Sequence, residues 1–226
     1  MVEHELEVLA DADAVARRAA AVVGASIRGA SGAPDVFSFA VSGGRTPWLM
    51  FGYLAAEDLA WDRVAIWQVD ERIAPAGDPD RNLTGLVASL PDAARASIRP
   101  MPVEAPDLEA AAAAYEAELP PVFDLVHLGL GDDGHTASLV PGDPVLEVRE
   151  RRVAITGEYG GHRRMTLTYP ALDGAAHVLW VVTGADKAEP LRRLLDGDRS
   201  IPAGRVAAEH QRVLADRAAA GDLARA

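Results

Sequence analysis

Residues 123–135 read Phe-Asp-Leu-Val-His-Leu-Gly-Leu-Gly-Asp-Asp-Gly-His. The first eight residues are a short apolar run of the kind that forms a buried β-strand. The glycines and aspartates that follow break the strand into a turn. Three other apolar runs, at residues 36–41, 63–69 and 177–182, also end in glycine-rich or charged turns. Each of the four predicted strands is therefore buried and stops abruptly at polar residues.

Helical patterns separate these strands. Apolar residues recur at helical spacing over residues 11–29, and Pro47 suits the first position of a helix because its missing N–H needs no partner there. Strands that alternate with helices are typical of an α/β fold with a doubly wound, mainly parallel sheet flanked by helices. No linker or repeat divides the chain, so we expect one domain over residues 1–226. The other predicted elements are helices at 47–59, 106–119, 186–196 and 207–220, a short helix capped by Asn82, and strands at 151–156 and 164–169.

Composition excludes several classes of protein. Apolar residues make up 49% of the chain and charged residues 25%, as in ordinary globular proteins. The net charge of −12 disfavours nucleic acid or an anionic membrane as a partner, and no run reaches the ~18 apolar residues of a membrane span. Residues 1–5 are acidic and lack the basic start of a signal peptide. Cysteine is absent, which removes disulfides and sulfur-ligated zinc. We expect a soluble, cytoplasmic protein that is a monomer or a small homo-oligomer.

The turns after the four strands predict one binding site. In open α/β sheets, ligands bind outside the carboxyl ends of the strands. We therefore expect the segments that follow the strands to lie close together. These segments are residues 42–47, 70–72, 131–135 and 183–187.

The first segment opens a helix and reads Ser42-Gly43-Gly44-Arg45-Thr46-Pro47. Backbone N–H groups at a helix start form a cradle for an anion, and glycines allow the ligand to come close. The hydroxyls of Ser42 and Thr46 add further donors. The pattern is neither a dinucleotide fingerprint nor an ATP-binding loop. A sharp turn made only for packing is an equal alternative.

His135 is the candidate general base. It lies two residues after Asp133 on the glycine-rich turn, where a carboxylate would hold one imidazole tautomer and support the protonated ring. A purely structural hydrogen bond is the alternative, and a metal site is disfavoured because few further ligands lie nearby. The other histidines have simpler interpretations: His127 is a hydrogen-bonded core residue, His177 begins a strand, and His4 and His210 are surface residues. His162, in the loop 157–163, is either a loop residue outside the site or, as the less favoured alternative, part of its lining.

Charged residues complete the predicted site. Asp70-Glu71-Arg72 places two carboxylates and a guanidinium at one strand end. They form either an ion-pair network or a site in which Asp70 faces substrate hydroxyls and Arg72 faces an anion. Arg163-Arg164 and Lys187, the only lysine, add positive charge that a protein of net charge −12 needs locally to bind a dianion. Arg151-Arg152 and Arg192-Arg193 are interpreted as solvated surface.

Five motifs stand in a fixed order along the chain. They are Ser-Gly-Gly-Arg-Thr-Pro at 42–47, Trp67-x-x-Asp70-Glu71-Arg72 with Asp80-x-Asn82, Gly129-Leu130-Gly131-x-Asp133-Gly134-His135-Thr136-Ala137-Ser138-Leu139-x-Pro141, Arg164-Met165-Thr166-Leu167-Thr168, and Thr183-Gly184-x-x-Lys187. Together they resemble the family of 6-phosphogluconolactonases over about residues 35–215. The stretch around Asp133-Gly134-His135 is the most specific of the five.

The resemblance implies a fold like that of glucosamine-6-phosphate deaminases. It also implies hydrolysis of a phosphorylated sugar lactone, 6-phospho-D-glucono-1,5-lactone, to 6-phospho-D-gluconate without a cofactor or a metal. His135 would activate water, and Asp133 and Asp70 would orient it or hold the sugar. The residues implied to hold the phosphate and the sugar are Ser42, Gly43, Gly44, Arg45, Thr46, Arg72, Arg164 and Lys187. A lactone is an activated ester, so a positioned base suffices without a covalent nucleophile, and the chain has no Gly-x-Ser-x-Gly motif.

The sequence departs from the family in two places and leaves two rival functions. Residues 157–163 replace a segment that is commonly Pro-rich, which leaves open whether Arg163 or Arg164 reaches the ligand, and Val140 replaces a more usual aromatic residue.

An amino-sugar phosphate deaminase or isomerase is disfavoured because residues 137–141 read Ala-Ser-Leu-Val-Pro, with no Glu. A non-catalytic sugar-phosphate sensor is disfavoured because the sequence contains no basic helix-turn-helix.

Overall fold

The computed structural model of the chain describes residues 4–30 and 36–225. Its strands are β1 (His4–Leu9), β2 (Phe37–Val41), β3 (Val64–Gln68), β4 (Asp70–Arg72), β5 (Ile98–Arg99), β6 (Leu125–Leu128), β7 (Val153–Ile155), β8 (Arg164–Leu167), β9 (Val178–Val182) and β10 (Gln211–Asp216). Its helices are α1 (Ala12–Ala30), α2 (Arg45–Ala55), α3 (Asn82–Ser89), α4 (Asp92–Arg95), α5 (Leu108–Glu118), α6 (Tyr169–Asp173), α7 (Ala188–Leu195) and α8 (Arg217–Ala220). The larger sheet is parallel, in the order β1-β10-β9-β6-β2-β3-β5, and the smaller is antiparallel, in the order β4-β8-β7.

The alternation of side chains along each strand assigns the two faces of the larger sheet. Phe39 of β2 and Ile66 of β3 pack with α1, α2 and α3 on one face. Trp67 of β3 and Trp180 of β9 pack on the other face with α5, α7 and the smaller sheet. The four side chains are at most 5% exposed. The parallel sheet is covered on both faces, so the predicted fold class is confirmed.

Val69 joins the two sheets. Its N–H donates to the carbonyl of Val41 in the larger sheet, at 3.0 Å, and its own carbonyl accepts from the N–H of Leu167 in the smaller sheet, at 2.7 Å. The chain therefore passes from one sheet to the other within a single residue. As a result, Asp70–Arg72, predicted to follow a strand end, form a strand of their own beside the carboxyl edge of the larger sheet.

The carboxyl ends of β2 and β6 form a crevice. From β2 the chain continues through β3 to β5 on one side, and from β6 it continues through β9 to β10 on the other. Neighbouring strands whose connections leave in opposite directions open a crevice at their carboxyl ends, and ligands bind there in such sheets. Ser42 follows β2 at this point and Gly129 follows β6.

The prediction for the C-terminal region is wrong. Residues 207–220 do not form one helix, because Gln211–Asp216 is the strand β10, and only Arg217–Ala220 is helical within that range. Arginine, alanine and leucine favour a helix locally. However, Val213, Leu214 and Ala215 are fully buried between β1 and β9, and this burial outweighs propensity. Strand β1 itself was not predicted.

Two predicted helix starts are also displaced. Helix α2 begins at Arg45, two residues before Pro47, and α3 begins at Asn82 itself, after Arg81. Instead of capping α3, the amide of Asn82 donates to Asp70. Within the described ranges, no helix has the length and apolar character needed to cross a bilayer. Residues 1–3 of the acidic N-terminal segment lie outside the described residues.

Candidate active site

A cavity of about 160 Å³ fills the crevice between β2 and β6. Three of the four predicted segments line it, through Ser42 and Gly43, through Asp70 and Arg72, and through Gly131 and His135. The fourth segment is joined to the first, since the hydroxyls of Thr46 and Thr183 lie 2.7 Å apart. The structure thus brings together segments that are far apart in sequence, since Thr46 and Thr183 are separated by 137 positions.

His135 and Asp133 form a hydrogen-bonded pair at the mouth of this cavity. The imidazole Nδ1 lies 2.6 Å from Asp133 Oδ1, and the His135 backbone N–H donates to the same oxygen at 2.9 Å. Burial raises the pKa of the Asp133 carboxyl, but the hydrogen bonds and charge of His135 outweigh this, and the pKa lies below its ordinary value. Because Nδ1 faces a carboxylate, it carries the proton, and Nε2 is free to act as a base.

Glycines allow the imidazole to take this position. A Cβ on Gly131 would lie 2.1 Å from His135 Nδ1, so a side chain there would displace the ring. Gly134 has φ +82°, a region that favours glycine, and a Cβ on it would lie 2.7 Å from the Cβ of Ile201. The Asp-Gly-His turn therefore needs both glycines to hold the histidine close to its own backbone.

Asp70 is a buried carboxylate that faces the cavity. Its Oδ2 accepts from the hydroxyl of Ser138 at 2.5 Å, and its Oδ1 accepts from the amide of Asn82 at 3.0 Å. Burial raises the pKa of the Asp70 carboxyl, and the bond from Ser138 and the charge of Arg72 offset this only in part. The side chain is therefore fixed in place and available to accept from a ligand.

Arg72 and Arg164 lie directly opposite each other on β4 and β8. Arg72 Nη1 donates to the carbonyl of Asp80 at 2.5 Å, but Arg72 Nε and Arg164 Nη1 are buried and make no hydrogen bond within the described part of the chain. Burial and the neighbouring charge of Arg72 lower the pKa of Arg164. Two adjacent guanidinium groups with unused buried donors are suited to an anion. Arg163, in contrast, directs its Nε to the carbonyl of Thr156 at 3.4 Å.

His127 holds the turn that precedes α2 in place through two hydrogen bonds. The Ser42 N–H donates to His127 Nδ1 at 3.2 Å, and the Ser42 hydroxyl donates to the His127 carbonyl at 3.1 Å. Burial lowers the pKa of His127 to about 3, so the ring is neutral at physiological pH. The prediction of a hydrogen-bonded core histidine is confirmed. The donors of Ser42 are used within the protein, whereas Gly44, with φ +136°, leaves the start of α2 without a side-chain cap.

Lys187 and Arg45 lie outside the cavity lining. Lys187 Nζ is 2.9 Å from Asp186 Oδ2, and the charges of Lys187 and, more weakly, Arg45 lower the pKa of the Asp186 carboxyl. Neither cation is among the described residues that line the cavity. Both stand close to Asp186 beside the joined ends of β2 and β9, so they form a second cationic position at the rim.

Tyr159 contacts the site although sequence reasoning assigned it no role there, and Asn82, predicted only as a helix cap, lines the cavity. Residues 157–163 are the tip of a hairpin between β7 and β8, and its Gly160-Gly161 turn is of the kind that two-residue hairpins use. The Tyr159 hydroxyl donates to Asp133 Oδ2 at 3.3 Å. The Gly-Gly pair between two predicted strands is the signal that could have placed this tyrosine beside the site.

A larger cavity, of about 1050 Å³, lies at the opposite, amino ends of the strands. There Glu5 and Arg212 pair with each other at 2.7 Å, and the rings of His177 and His210 stack 5.3 Å apart. Nowhere in residues 4–30 and 36–225 do three or more His, Asp or Glu side chains group as ligands for a metal ion. The smaller crevice is the candidate active site because His135, the candidate base, and Arg72, with its unpaired Nε, both line it.

The chain matches known proteins over most of its length. The family model described as glucosamine-6-phosphate isomerases/6-phosphogluconolactonase matches residues 10–215. A 6-phosphogluconolactonase of Synechocystis sp. is 40% identical over 167 residues, which are 68% of this chain and 69% of that protein. The solved structure of a 6-phosphogluconolactonase from Thermotoga maritima is 26% identical, with a TM-score of 0.85 over 95% of this chain and 99% of that one. A monomeric glucosamine-6-phosphate deaminase shares the fold, with a TM-score of 0.83 at 20% identity over 96% of this chain and 98% of that one.

Proposed function

The chain belongs to the family of glucosamine-6-phosphate isomerases and 6-phosphogluconolactonases, and from that premise we propose that it hydrolyses 6-phospho-D-glucono-1,5-lactone to 6-phospho-D-gluconate, with His135 as the general base. The observation that supports the role of His135 is its pairing with Asp133, 2.6 Å away, which leaves Nε2 free at the mouth of the cavity. The reaction belongs to the oxidative pentose phosphate pathway, and the chain is a lactone-hydrolysing enzyme like its relatives.

Proton transfer through His135 accounts for the whole reaction. His135 Nε2 removes a proton from water as the water oxygen attacks the lactone carbonyl carbon. The tetrahedral intermediate then breaks its bond to the ring oxygen, which takes the proton from His135 and becomes a hydroxyl. Asp133 stabilises the transient imidazolium. A positioned base of this kind contributes about 10²–10⁴-fold, and no covalent intermediate is needed because the lactone is already activated.

The cationic groups bind the other parts of the substrate. Arg72 and Arg164 present unused donors to an anion, which supports their contact with the phosphorylated ligand. Gly43, Gly44 and Thr46 offer the uncapped start of α2. Asp70 accepts from a sugar hydroxyl. We assign Ser42 to positioning the turn, because its donors bind His127, and Arg45 and Lys187 to the rim, where they attract the phosphate.

The sequence opposes a deaminase at this site. The residues after the Asp-Gly-His turn are Ala137, Ser138, Leu139 and Val140. Ser138 binds Asp70, and Leu139 and Val140 are buried. This segment therefore supplies no second acid–base group near His135 for moving protons between sugar carbons. We further propose that the enzyme acts in the cytoplasm as one domain, as a monomer or small homo-oligomer, with no cofactor and no membrane or nucleic-acid partner.

His135→Ala tests the assignment of the base. The variant is expected to lose about 10²–10⁴-fold in kcat, measured with freshly prepared lactone and corrected for spontaneous opening, while its Kd for 6-phosphogluconate stays close to that of the wild type. His210→Ala, at the amino ends of the strands, serves as the control and should keep both values. Equal loss of turnover and of 6-phosphogluconate binding in His135→Ala would contradict the role of His135 as a base.

A further inference from the structure

Tyr159 contacts the base end and the cationic end of the site at once. Its hydroxyl donates to Asp133 Oδ2 at 3.3 Å, the oxygen that His135 does not use. Its ring meets the His135 ring edge to face, with centroids 5.5 Å apart. The guanidinium carbon of Arg164 lies 5.0 Å from the centre of the same ring, within cation–π range. One side chain therefore touches three groups that the reaction requires.

The hairpin that carries Tyr159 is held on both sides. Tyr159 and His162 exchange backbone hydrogen bonds of 3.0 and 3.3 Å across the Gly160-Gly161 turn. The N–H of Gly157 donates to Asp143 Oδ2 at 2.9 Å, and the ring of His162 lies 3.2 Å from Asp80 Oδ2. The tyrosine is thus presented to the site from an anchored position.

From this geometry we infer that Tyr159 is a positioning residue, which holds the Asp133–His135 pair and the Arg164 guanidinium in one fixed arrangement. The inference rests on the proposed function for its kinetic consequence. The hydroxyl fixes the Asp133 carboxylate in the orientation that receives His135 Nδ1, while the ring supports Arg164 where it meets the anion.

The electrostatic surroundings agree with this role. Asp133, Asp132 and Arg164 are the charged groups that act on the Tyr159 hydroxyl, and burial together with the two aspartates raises its pKa. The hydroxyl therefore stays protonated and donates at physiological pH. Its hydrogen bond is in turn one of the interactions that keep the pKa of Asp133 low.

Tyr53 supplies a matched control far from the site. Its hydroxyl donates to Asp13, and the guanidinium of Arg17 lies 4.7 Å from its ring centre. This repeats the carboxylate, hydroxyl and guanidinium arrangement on the exposed surface of α1 and α2. The Tyr53 hydroxyl is the main group that lowers the pKa of Asp13. Tyr53→Phe thus removes the same kind of contact without touching the site.

The experiment compares Tyr159→Phe, Tyr159→Leu and Tyr53→Phe. Tyr159→Phe is expected to lower kcat about three- to tenfold, as the loss of one hydrogen bond to a charged group, and to move the carboxyl ¹³C titration of Asp133 to higher pH. Its Kd for 6-phosphogluconate should not change, because the ring remains. Tyr159→Leu should also weaken 6-phosphogluconate about two- to fivefold, since Arg164 loses the ring. Tyr53→Phe should move only the titration of Asp13.

Two results would overturn the inference. One is an unchanged Asp133 titration and kcat in Tyr159→Phe, with the expected movement of Asp13 in Tyr53→Phe. The other is equal binding of 6-phosphogluconate by Tyr159→Phe and Tyr159→Leu. The Asp133 titration requires no turnover, so it decides the role of Tyr159 even if the wild-type protein fails to hydrolyse the lactone, an outcome that would instead reject the proposed function.

Discussion

The two sides of strand β4 treat charge in opposite ways. Asp70 and Arg72 face the cavity, whereas Glu71 between them faces away and is completely buried. Both Glu71 oxygens are saturated: they accept from Arg72 N, Asn82 N, Leu83 N and Gln68 Nε2 at 2.7–3.0 Å, and Arg81 Nε lies 3.1 Å away. Arg72 lines the cavity and Arg164 lies opposite it on β8. Arg72 Nε and Arg164 Nη1 have no such partner in the described residues.

This difference separates a charge whose partners all lie within the protein from charges that keep unused donors. A buried ion whose hydrogen-bonding capacity is filled contributes to a fixed local structure, and it cannot exchange partners without a large cost. A buried cation with unused donors is costly until a ligand supplies the acceptors. Glu71 therefore holds the start of α3 and Arg81 in place, while Arg72 and Arg164 keep unused donors that the proposed substrate would bind.

The strongest test of the comparison removes the charge of Glu71. Glu71→Gln places an amide nitrogen where backbone donors already point, so we expect a loss of about 3 kcal/mol in the free energy of unfolding, or ~6–12 °C in Tm. This loss is near the lower end of the range expected for breaking a buried ion pair, because Arg81 still pairs with Glu104, 2.7 Å away. Urea and thermal unfolding measure both quantities.

An exposed ion pair provides the control for Glu71. Glu5 binds Arg212 through two oxygens, but its side chain is 66% exposed. Glu5→Gln should therefore cost less than about 1 kcal/mol. If Glu71→Gln lowers Tm no more than Glu5→Gln does, the hydrogen-bond network around Glu71 does not stabilise the fold.

Arg164→Gln tests the cavity side, where the expected effect falls on the ligand and not on the fold. Removing one of two adjacent guanidinium groups should leave Tm unchanged or higher, because their mutual repulsion is relieved. The Kd for 6-phosphogluconate should rise about tenfold or more, as expected for lost hydrogen bonds to a charged group.

Lys187→Ala should weaken the binding of 6-phosphogluconate more than that of unphosphorylated gluconate. The rise in Kd should be smaller than for Arg164→Gln, because Lys187 acts from the rim.

Arg163→Gln is the neighbouring control for Arg164→Gln. Arg163 is directed to the carbonyl of Thr156 and away from Arg72, so its substitution should leave the Kd for 6-phosphogluconate unchanged. The comparison between the two sides of β4 fails if Arg164→Gln lowers Tm as much as Glu71→Gln and binds 6-phosphogluconate normally, since Arg164 would then be a structural charge as well.

Sequence reasoning predicted that the turns after the strands lie close together, but it could not separate the roles of their charged residues. The cluster Asp70-Glu71-Arg72 was predicted to be either an ion-pair network or a binding site. In the structure, Glu71 belongs to an ion-pair network, whereas Asp70 and Arg72 line the cavity. Which residue serves which purpose depends on Asn82, twelve positions later, and on Arg164 of β8, which lies opposite Arg72. Such contacts are set by the packing of the smaller sheet, which no local pattern encodes.

The fold was predicted where local and long-range preferences agree. The apolar strands β2, β3, β6 and β9 are buried on both faces, and each was predicted from its composition. Strand β10 was mistaken for a helix because its residues favour helix locally and only its place between β1 and β9 selects a strand. Strand β1, with its alternating Glu5, Leu6 and Glu7, lies at the edge of the sheet and gives a weaker signal.

Asp70→Asn is expected to have the smallest effect on the free energy of unfolding, and the sign of that effect depends on pH. Burial raises the pKa of Asp70 above its ordinary value of 3.8, so folding disfavours the ionised form of this carboxyl. As the pH rises from 3.8 through the folded-state pKa, the folded state therefore becomes progressively less stable relative to the unfolded state. Below pH 3.8 the carboxyl is protonated in both states, and the effect disappears. Asp70→Asn should therefore be more stable than the wild type at neutral pH and equal to it in acid, as urea unfolding at both pH values will measure. Asp198→Asn should show the opposite trend, because the bonds from Ser200 and Arg193 lower the pKa of Asp198. A gain in stability at Asp70 that accompanies a loss of turnover would mark a carboxylate kept for the substrate at the expense of the fold, whereas a loss of stability at every pH would place Asp70 with Glu71 among the structural charges.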